Sequence, residues 1–141
     1  MIDTHKSMYR SDLLSGKRIL ITGGGTGLGK SIGQRYVELG ANLVICGRRK
    51  EVLDQTAKEF KDSLGVSIET HVCDVRDAKA VESMMDAIWA TGPLDVLLNN
   101  AAGNFLARTE RLSTRAFDAV VDIVLKGSAY CTMDVGRRWI E

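Results

Sequence analysis

The residues Thr22-Gly23-Gly24-Gly25-Thr26-Gly27-Leu28-Gly29 follow the apolar run Ile19-Leu20-Ile21 and lead into a stretch with helical spacing. A strand, a tight glycine turn and a helix N-terminus in that order make a cradle for phosphate, because backbone amides point at the anion and the helix dipole favours negative charge there. Glycine is needed where the turn takes a positive φ and where main chain must approach a diphosphate without an intervening Cβ. Glycines alone are weak grounds for a ligand. Their place between strand and helix makes this segment a candidate dinucleotide site.

A second group of chemical interest follows the next apolar run, 42–46, which passes into Gly47-Arg48-Arg49-Lys50. A site for the non-phosphorylated dinucleotide usually places Asp or Glu here, about twenty residues past the glycine turn, to accept from the ribose hydroxyls. A carboxylate repels a 2′-phosphate, whereas arginine offers a planar set of donors matched to it. NADP(H) is thus favoured over NAD(H), with Arg48 the first choice for the phosphate contact and Arg49 the second. The competing reading is a basic run at a helix start; cations there oppose the helix dipole and need some other reason to be present.

The elements that must position these groups alternate between short apolar runs and amphipathic stretches, which argues for parallel strands joined by crossover helices. Strands are expected at 18–22, 42–46, 66–73 and 94–98. In the third, Val66, Ile68, Thr70 and Val72 alternate onto one side. A first helix over 28–39 carries Leu28, Ile32, Tyr36 and Leu39 near helical spacing, with Gly40 placed to end it. A second, over 50–64, sets Val52, Leu53, Ala57, Phe60 and Leu64 on one face. Asp77 is placed to cap a third helix with Val81, Met84, Met85, Ile88 and Trp89 in the core. Ser113 is placed to cap a long last helix, striped by Phe117, Val120, Val121, Val124, Leu125, Ser128, Thr132, Val135 and Trp139.

The chain has 141 residues, one domain by length, and is 45% hydrophobic, enough to bury a core. Residues 1–15 read as a loosely packed extension, with His5 solvated, and 16–141 as the dinucleotide-binding domain. Lys and Arg (19) nearly cancel Asp and Glu (18), so no charge surplus favours nucleic acid or an anionic membrane surface. No apolar run reaches membrane-spanning length and the first fifteen residues are too polar for a secretory signal. Cys46, Cys73 and Cys131 lack Cys-x-x-Cys spacing. They read as buried free thiols in a reducing, cytoplasmic environment, and no metal-ligand set is read from the sequence.

The Thr-Gly-x-x-x-Gly-x-Gly spacing, Cys73-Asp74-Val75 after the third apolar run and Asn99-Asn100-Ala101-Ala102-Gly103 after the fourth together resemble the short-chain dehydrogenase/reductase family. Asn104-Phe105 and Thr109-Glu110-Arg111-Leu112-Ser113 look like its 2,4-dienoyl-CoA reductase branch. The resemblance implies a Rossmann-type α/β fold with parallel strands in the order 3-2-1-4, and an NADPH-dependent reductase of unsaturated acyl-CoA. It implies that Gly23, Gly24, Gly25, Thr26, Gly27, Leu28 and Gly29 hold the cofactor, that Asp74 accepts from the adenine amino group, that Asn99 and Ala101 line the adenosine ribose, and that Val75 and Gly103 lie beside the cofactor. Arg76, Phe105 and Ser113 would face the acyl-CoA. Structural roles compete for each: a turn or cap for Asp74, an ion pair with Asp74 or Asp77 for Arg76, core packing for Phe105 and a helix cap for Ser113.

Two departures stand out. The family's proton donor is a tyrosine four residues before a lysine, but Tyr9, Tyr36 and Tyr130 are followed at that distance by Leu13, Gly40 and Asp134. Lys126 stands where the family usually has asparagine. The resemblance covers only the N-terminal half of the family's domain, so the fold reads as truncated after the fourth strand and its helix. The open edge is expected to be covered by a homo-oligomer or by a chain supplying the rest. Other reductases acting on enoyl-CoA, ketones or alcohols, and a non-catalytic nucleotide-binding or assembly module, remain the alternatives.

Overall fold

The computed structural model describes residues 8–141. The expected position of His5 lies outside them. The elements run β1 (Arg18–Thr22), α1 (Gly27–Glu38), β2 (Asn42–Gly47), α2 (Lys50–Leu64), β3 (Glu69–Val72), α3 (Ala78–Thr91) and β4 (Val96–Leu98). A turn of 3-10 helix at Thr109–Arg111 then precedes α4 (Thr114–Val121), a π-helical segment (Asp122–Gly127) and α5 (Ser128–Ile140). All strand pairings are parallel and the order is β3-β2-β1-β4, a Rossmann-type sheet.

A parallel sheet covered on both faces requires apolar residues at successive positions. β1 meets that requirement: Ile19, Leu20 and Ile21 are all buried, and pair with β2 on one side and β4 on the other. Because successive side chains alternate, Leu20 joins Val44, Met85, Ile88, Cys131 and Val135 on one face, while Ile19 and Ile21 join Val37, Leu43, Ile45, Leu53 and Phe60 on the other. At the N-terminal ends of the strands the Arg18 guanidinium joins three elements. It donates to Ile88 O (2.8 Å), Gly92 O, Thr91 Oγ1 (2.6 Å) and Glu69 Oε2 (2.5 Å).

Several expected details take a different form. The lead-in is not wholly loose: Leu14 donates to Leu39 O (2.8 Å) and packs on the α1 side of the core. In α1 the residues turned to the sheet are Gly29, Gly33 and Val37, whereas Leu28 is 71% exposed. The reason is close packing, since a Cβ on Gly33 would sit 2.9 Å from Leu43 Cδ2. β3 is confined to Glu69–Val72, and Val72 is exposed while Val66 and Ile68 pack on the core before the strand begins. β4 is likewise shorter than expected, with Leu94 buried ahead of it.

The last helix is interrupted. The π segment adds backbone between α4 and α5, so the stripe read from the sequence does not stay on one side: Phe117, Val124, Leu125 and Trp139 are exposed, and Gly127, Cys131, Asp134 and Val135 are the buried positions. Gly127 is needed because a Cβ there would lie 2.6 Å from Val75 Cγ2. Asp134 is held by Arg137 (2.7 Å) and Arg138 (2.6 Å), whose guanidinium also lies over the Trp89 ring.

All three cysteines are free and buried, as expected. Burial, with smaller contributions from neighbouring acidic groups, pushes the thiols up, to about 11 for Cys73 and about 12 for Cys131. Among the described residues no helix is long and apolar enough to cross a membrane.

The cap at Asp77 forms as read from the sequence, its carboxylate accepting from the amides of Lys79 (2.9 Å) and Ala80 (3.2 Å). Asp77→Ala is expected to lower stability by about 1 kcal/mol. A urea titration should show this as a lower midpoint with an unchanged slope.

Candidate functional site

The C-terminal ends of the four strands open into a cleft of about 550 Å³. One wall is the glycine turn, which needs positive φ at two places, Gly23 (68°) and Gly27 (54°). Gly23, Gly25, Thr26, Gly27, Leu28 and Gly29 line the cleft. Gly24 does not. It is buried, and a Cβ there would lie 2.5 Å from Ile45 Cγ2, so it lets the turn rest on β2. Gly29 has a similar duty, because a Cβ would meet Asn100 Nδ2 at 2.5 Å and Gly23 O at 2.6 Å.

Thr26 is the N-cap of α1, yet its side chain makes no capping bond, and the first turn holds no acidic residue. The first amides of a helix have no intrahelical acceptor. Here they border the cleft with their dipole uncompensated by the chain, an arrangement suited to a bound anion.

The turn is fixed from two sides. Thr56, buried on α2, donates to Gly25 O (2.7 Å). From β4, the amides of Asn100 and Ala101 both donate to Thr22 Oγ1 (3.0 Å each), and Asn100 Nδ2 donates to Thr22 O (3.0 Å) and Gly23 O (3.3 Å). Asn99, the residue expected here, points elsewhere and donates to Thr132 Oγ1 on α5 (2.9 Å). Consecutive residues leaving a strand face opposite ways, and it is Asn100 that faces the turn. The sequence offers Asn100 only as part of the Asn99–Gly103 motif, with no role of its own, and Thr56 not at all; the signal for Thr56 is a polar residue among the apolar positions Leu53, Ala57 and Phe60 of α2.

Arg48 and Arg49 are exposed on the wall made by the end of β2, while Lys50 is committed to Asp54 (2.6 Å). Asp74 and Val75 line the cleft beyond β3. Arg76 is not among the lining residues, and its guanidinium is paired with the Asp74 carboxylate (2.5 Å). Those hydrogen bonds, opposed by partial burial and assisted by the charge of Arg48, hold the Asp74 carboxyl below the usual carboxylate range. Ala101 lines the floor together with Ala102 and Ile123.

Gly103, Phe105 and Ser113 lie outside the lining. Gly103 makes room for Ile123, 2.9 Å from where its Cβ would be. Phe105 is exposed rather than core, and Ser113 caps α4, accepting from the Ala116 amide (3.2 Å). Lys126 pairs with Asp122 (2.7 Å) on the surface of the π segment.

Against this geometry, the family model described as short chain dehydrogenase matches residues 17–141. The chain belongs to that family. Over 137 residues it is 44% identical to the probable 2,4-dienoyl-CoA reductase 3, (3E)-enoyl-CoA-producing, of Caenorhabditis elegans, covering 95% of this chain and 44% of that protein. A probable 2,4-dienoyl-CoA reductase of Bacillus subtilis is 39% identical over 126 residues, 89% of this chain and 49% of its own length. Among solved structures, a gluconate 5-dehydrogenase from Burkholderia cenocepacia in complex with NADP and tartrate superposes with a TM-score of 0.84 at 30% identity, covering 92% of this chain and 51% of that one. The chain thus spans about half the length of the relatives it matches. Nicotinamide coenzymes are the ligands of this oxidoreductase family, and the glycine cradle, Arg48, Arg49 and Asp74 suit one chemically.

The Asn100 amide is the cleft's main internal tie. Asn100→Asp puts a carboxylate oxygen against the carbonyls of Thr22 and Gly23 and is expected to cost about 2–3 kcal/mol at neutral pH. The new carboxyl's folded-state pKa is raised above its unfolded value of about 3.9, so the deficit relative to the parent chain is smallest below that pH and grows as pH rises through the folded value. Paired urea titrations near pH 4 and pH 7 check both sign and size.

Proposed function

We propose that the chain is the coenzyme-holding part of an NADPH-dependent reductase acting on an unsaturated fatty acyl-CoA, of the 2,4-dienoyl-CoA reductase kind. The observation that carries this reading is that Arg48 and Arg49 stand on the same cleft as the open N-terminus of α1, where no acidic residue takes the ribose position. When bound, NADPH supplies the hydride that a conjugated dienoyl thioester takes up with one proton to become an enoyl thioester.

In this reading the amides of Thr26, Gly27, Leu28 and Gly29 hold the diphosphate, and Arg48, backed by Arg49, meets the 2′-phosphate with charge-assisted bonds. Asp74 accepts from the adenine edge, and Val75, Ala101, Ala102 and Ile123 provide apolar contact. The NADP-bound relative and the two dienoyl-CoA reductase relatives support the coenzyme and the substrate class. Of the residues assigned to the acyl-CoA, Phe105 is the one whose side chain is exposed and uncommitted by any cap or ion pair. Buried free cysteines suit a reducing, cytoplasm-like compartment.

A second reading has its own observation. None of Tyr9, Tyr36 and Tyr130 stands four residues before a lysine, so these 141 residues alone lack the family's proton donor and the cation that lowers its pKa. That favours a nucleotide-holding role for the chain, exercised within a homo-oligomer or beside a polypeptide that brings the missing pair. Turnover of a dienoyl-CoA with NADPH by the purified chain separates the two readings.

The coenzyme preference has a direct test. Calorimetry should show Arg48→Ala weakening NADPH by ten- to a hundredfold, the size of one or two charge-assisted hydrogen bonds, with NADH changed by less than about twofold. An equal loss for both coenzymes would defeat the assignment.

A further inference from the structure

Thr56 is a polar side chain in an apolar place, buried with Leu53 and Phe60 on the inner face of α2. A threonine inside a helix commonly turns its hydroxyl back to a carbonyl of the preceding turn. Here the single hydroxyl proton goes instead to Gly25 O (2.7 Å), a main-chain acceptor far away in sequence. Gly25 itself rests on α2, since a Cβ there would lie 3.1 Å from Val52 Cγ1 and 3.4 Å from Leu53 Cδ2. Val52 and Leu53 border the cleft; Thr56, a turn further along the helix, does not, so its hydroxyl holds the carbonyl from behind the turn.

The peptide joining Gly25 to Thr26 is planar and trans, so its C=O and N–H point in opposite directions. A carbonyl held back against α2 sends the Thr26 amide the other way, on the side where Thr26 borders the cleft. Among the described residues that amide has no acceptor. Glycine at position 25 tolerates backbone angles that other residues do not, and with them the flipped peptide, which would turn a carbonyl oxygen toward a bound anion. We infer that Thr56 is a positioning residue for the anion cradle: through the Gly25 carbonyl it locks this peptide in the orientation that offers the Thr26 N–H to a phosphate oxygen of the coenzyme. A buried hydroxyl on α2 thereby sets the sign of the dipole that the turn presents, without touching the ligand.

This inference rests on the dinucleotide reading, and the experiment keeps the two apart. NADPH and NADH are titrated by calorimetry into the full chain and into Thr56→Val, which keeps the shape and removes the hydroxyl, and Thr56→Ser, which keeps the hydroxyl. The Thr26 amide resonance is followed in the same samples. Thr56→Val should weaken NADPH about tenfold, one charge-assisted hydrogen bond's worth, and Thr56→Ser should stay within about twofold of the parent. An equal loss for NADH places the amide on the diphosphate; a loss confined to NADPH places it on the 2′-phosphate. In the parent and in Thr56→Ser the Thr26 amide proton should move downfield on saturation with NADPH, and in Thr56→Val that movement should be lost. Unchanged affinity in Thr56→Val, or a loss that Thr56→Ser fails to restore, overturns the inference. So does a Thr26 resonance that stays in place when the parent is saturated, a result that needs no variant to fold. A parent chain that binds neither coenzyme overturns the dinucleotide reading and this inference with it.

Discussion

The structure turns on the hydroxyl of Thr22. At the end of β1 it accepts the amides of Asn100 and Ala101, while the Asn100 side chain returns two hydrogen bonds to the carbonyls of Thr22 and Gly23. This is where β1 and β4 stop pairing and their chains diverge. Main-chain groups released from a ladder inside a protein must find other partners or be left unpaired at a cost of several kcal/mol. Side chains at the ends of β1 and β4 supply those partners, and the sheet can therefore open between β1 and the edge strand β4 without leaving buried polar groups unsatisfied. No buried side-chain nitrogen or oxygen among the described residues lacks a partner. The crevice at the carboxyl ends of the strands follows from that divergence, and the glycine turn, the start of α1 and the floor made by Ala101 and Ala102 are all placed by it.

The cleft so formed is lined by groups of several kinds: amide dipoles at the start of α1, the guanidinium groups of Arg48 and Arg49 at the end of β2, the Arg76-paired carboxylate of Asp74 past β3, and small apolar side chains of the floor. The charge of Arg48 reaches the Asp74 carboxyl and helps to hold it ionised. Thr56 contributes indirectly, because its bond to Gly25 ties the position of the turn to the helix that begins at Lys50, just after the two arginines.

Much of this was legible in the sequence where burial on both sheet faces writes itself as an unbroken apolar run. Ile19 to Ile21 and Leu43 to Cys46 are such runs, and with the helical spacing between them they fix the strands, the crossover connections and the end of the sheet at which the turn must lie. Asp77 was legible because a cap is a local event. What the sequence did not disclose depends on direction and on insertion. Asn99 and Asn100 are chemically identical neighbours, and only the exit angle from β4 decides which faces the turn. Leu28 fits a helical stripe, yet the tight approach of Gly29 and Gly33 to the sheet rolls it outward. The stripe between Phe117 and Trp139 assumed a uniform helix, and the π segment changes the phase part-way along. Asp134 places a charge on a buried face, which only the fold makes acceptable by setting Arg137 and Arg138 against it.

The buried cysteines give the molecule an internal clock. Cys46 and Cys131 have no accessible surface, and the Cys131 proton is held up to about 12, so hardly any thiolate exists near neutrality and none of it meets solvent while the sheet and α5 stay packed. Alkylation at these two sulfurs must wait for the layers to part. Its rate counts how often the interior breathes, and a bound ligand that knits the strand ends together slows that count in proportion to the stability it adds.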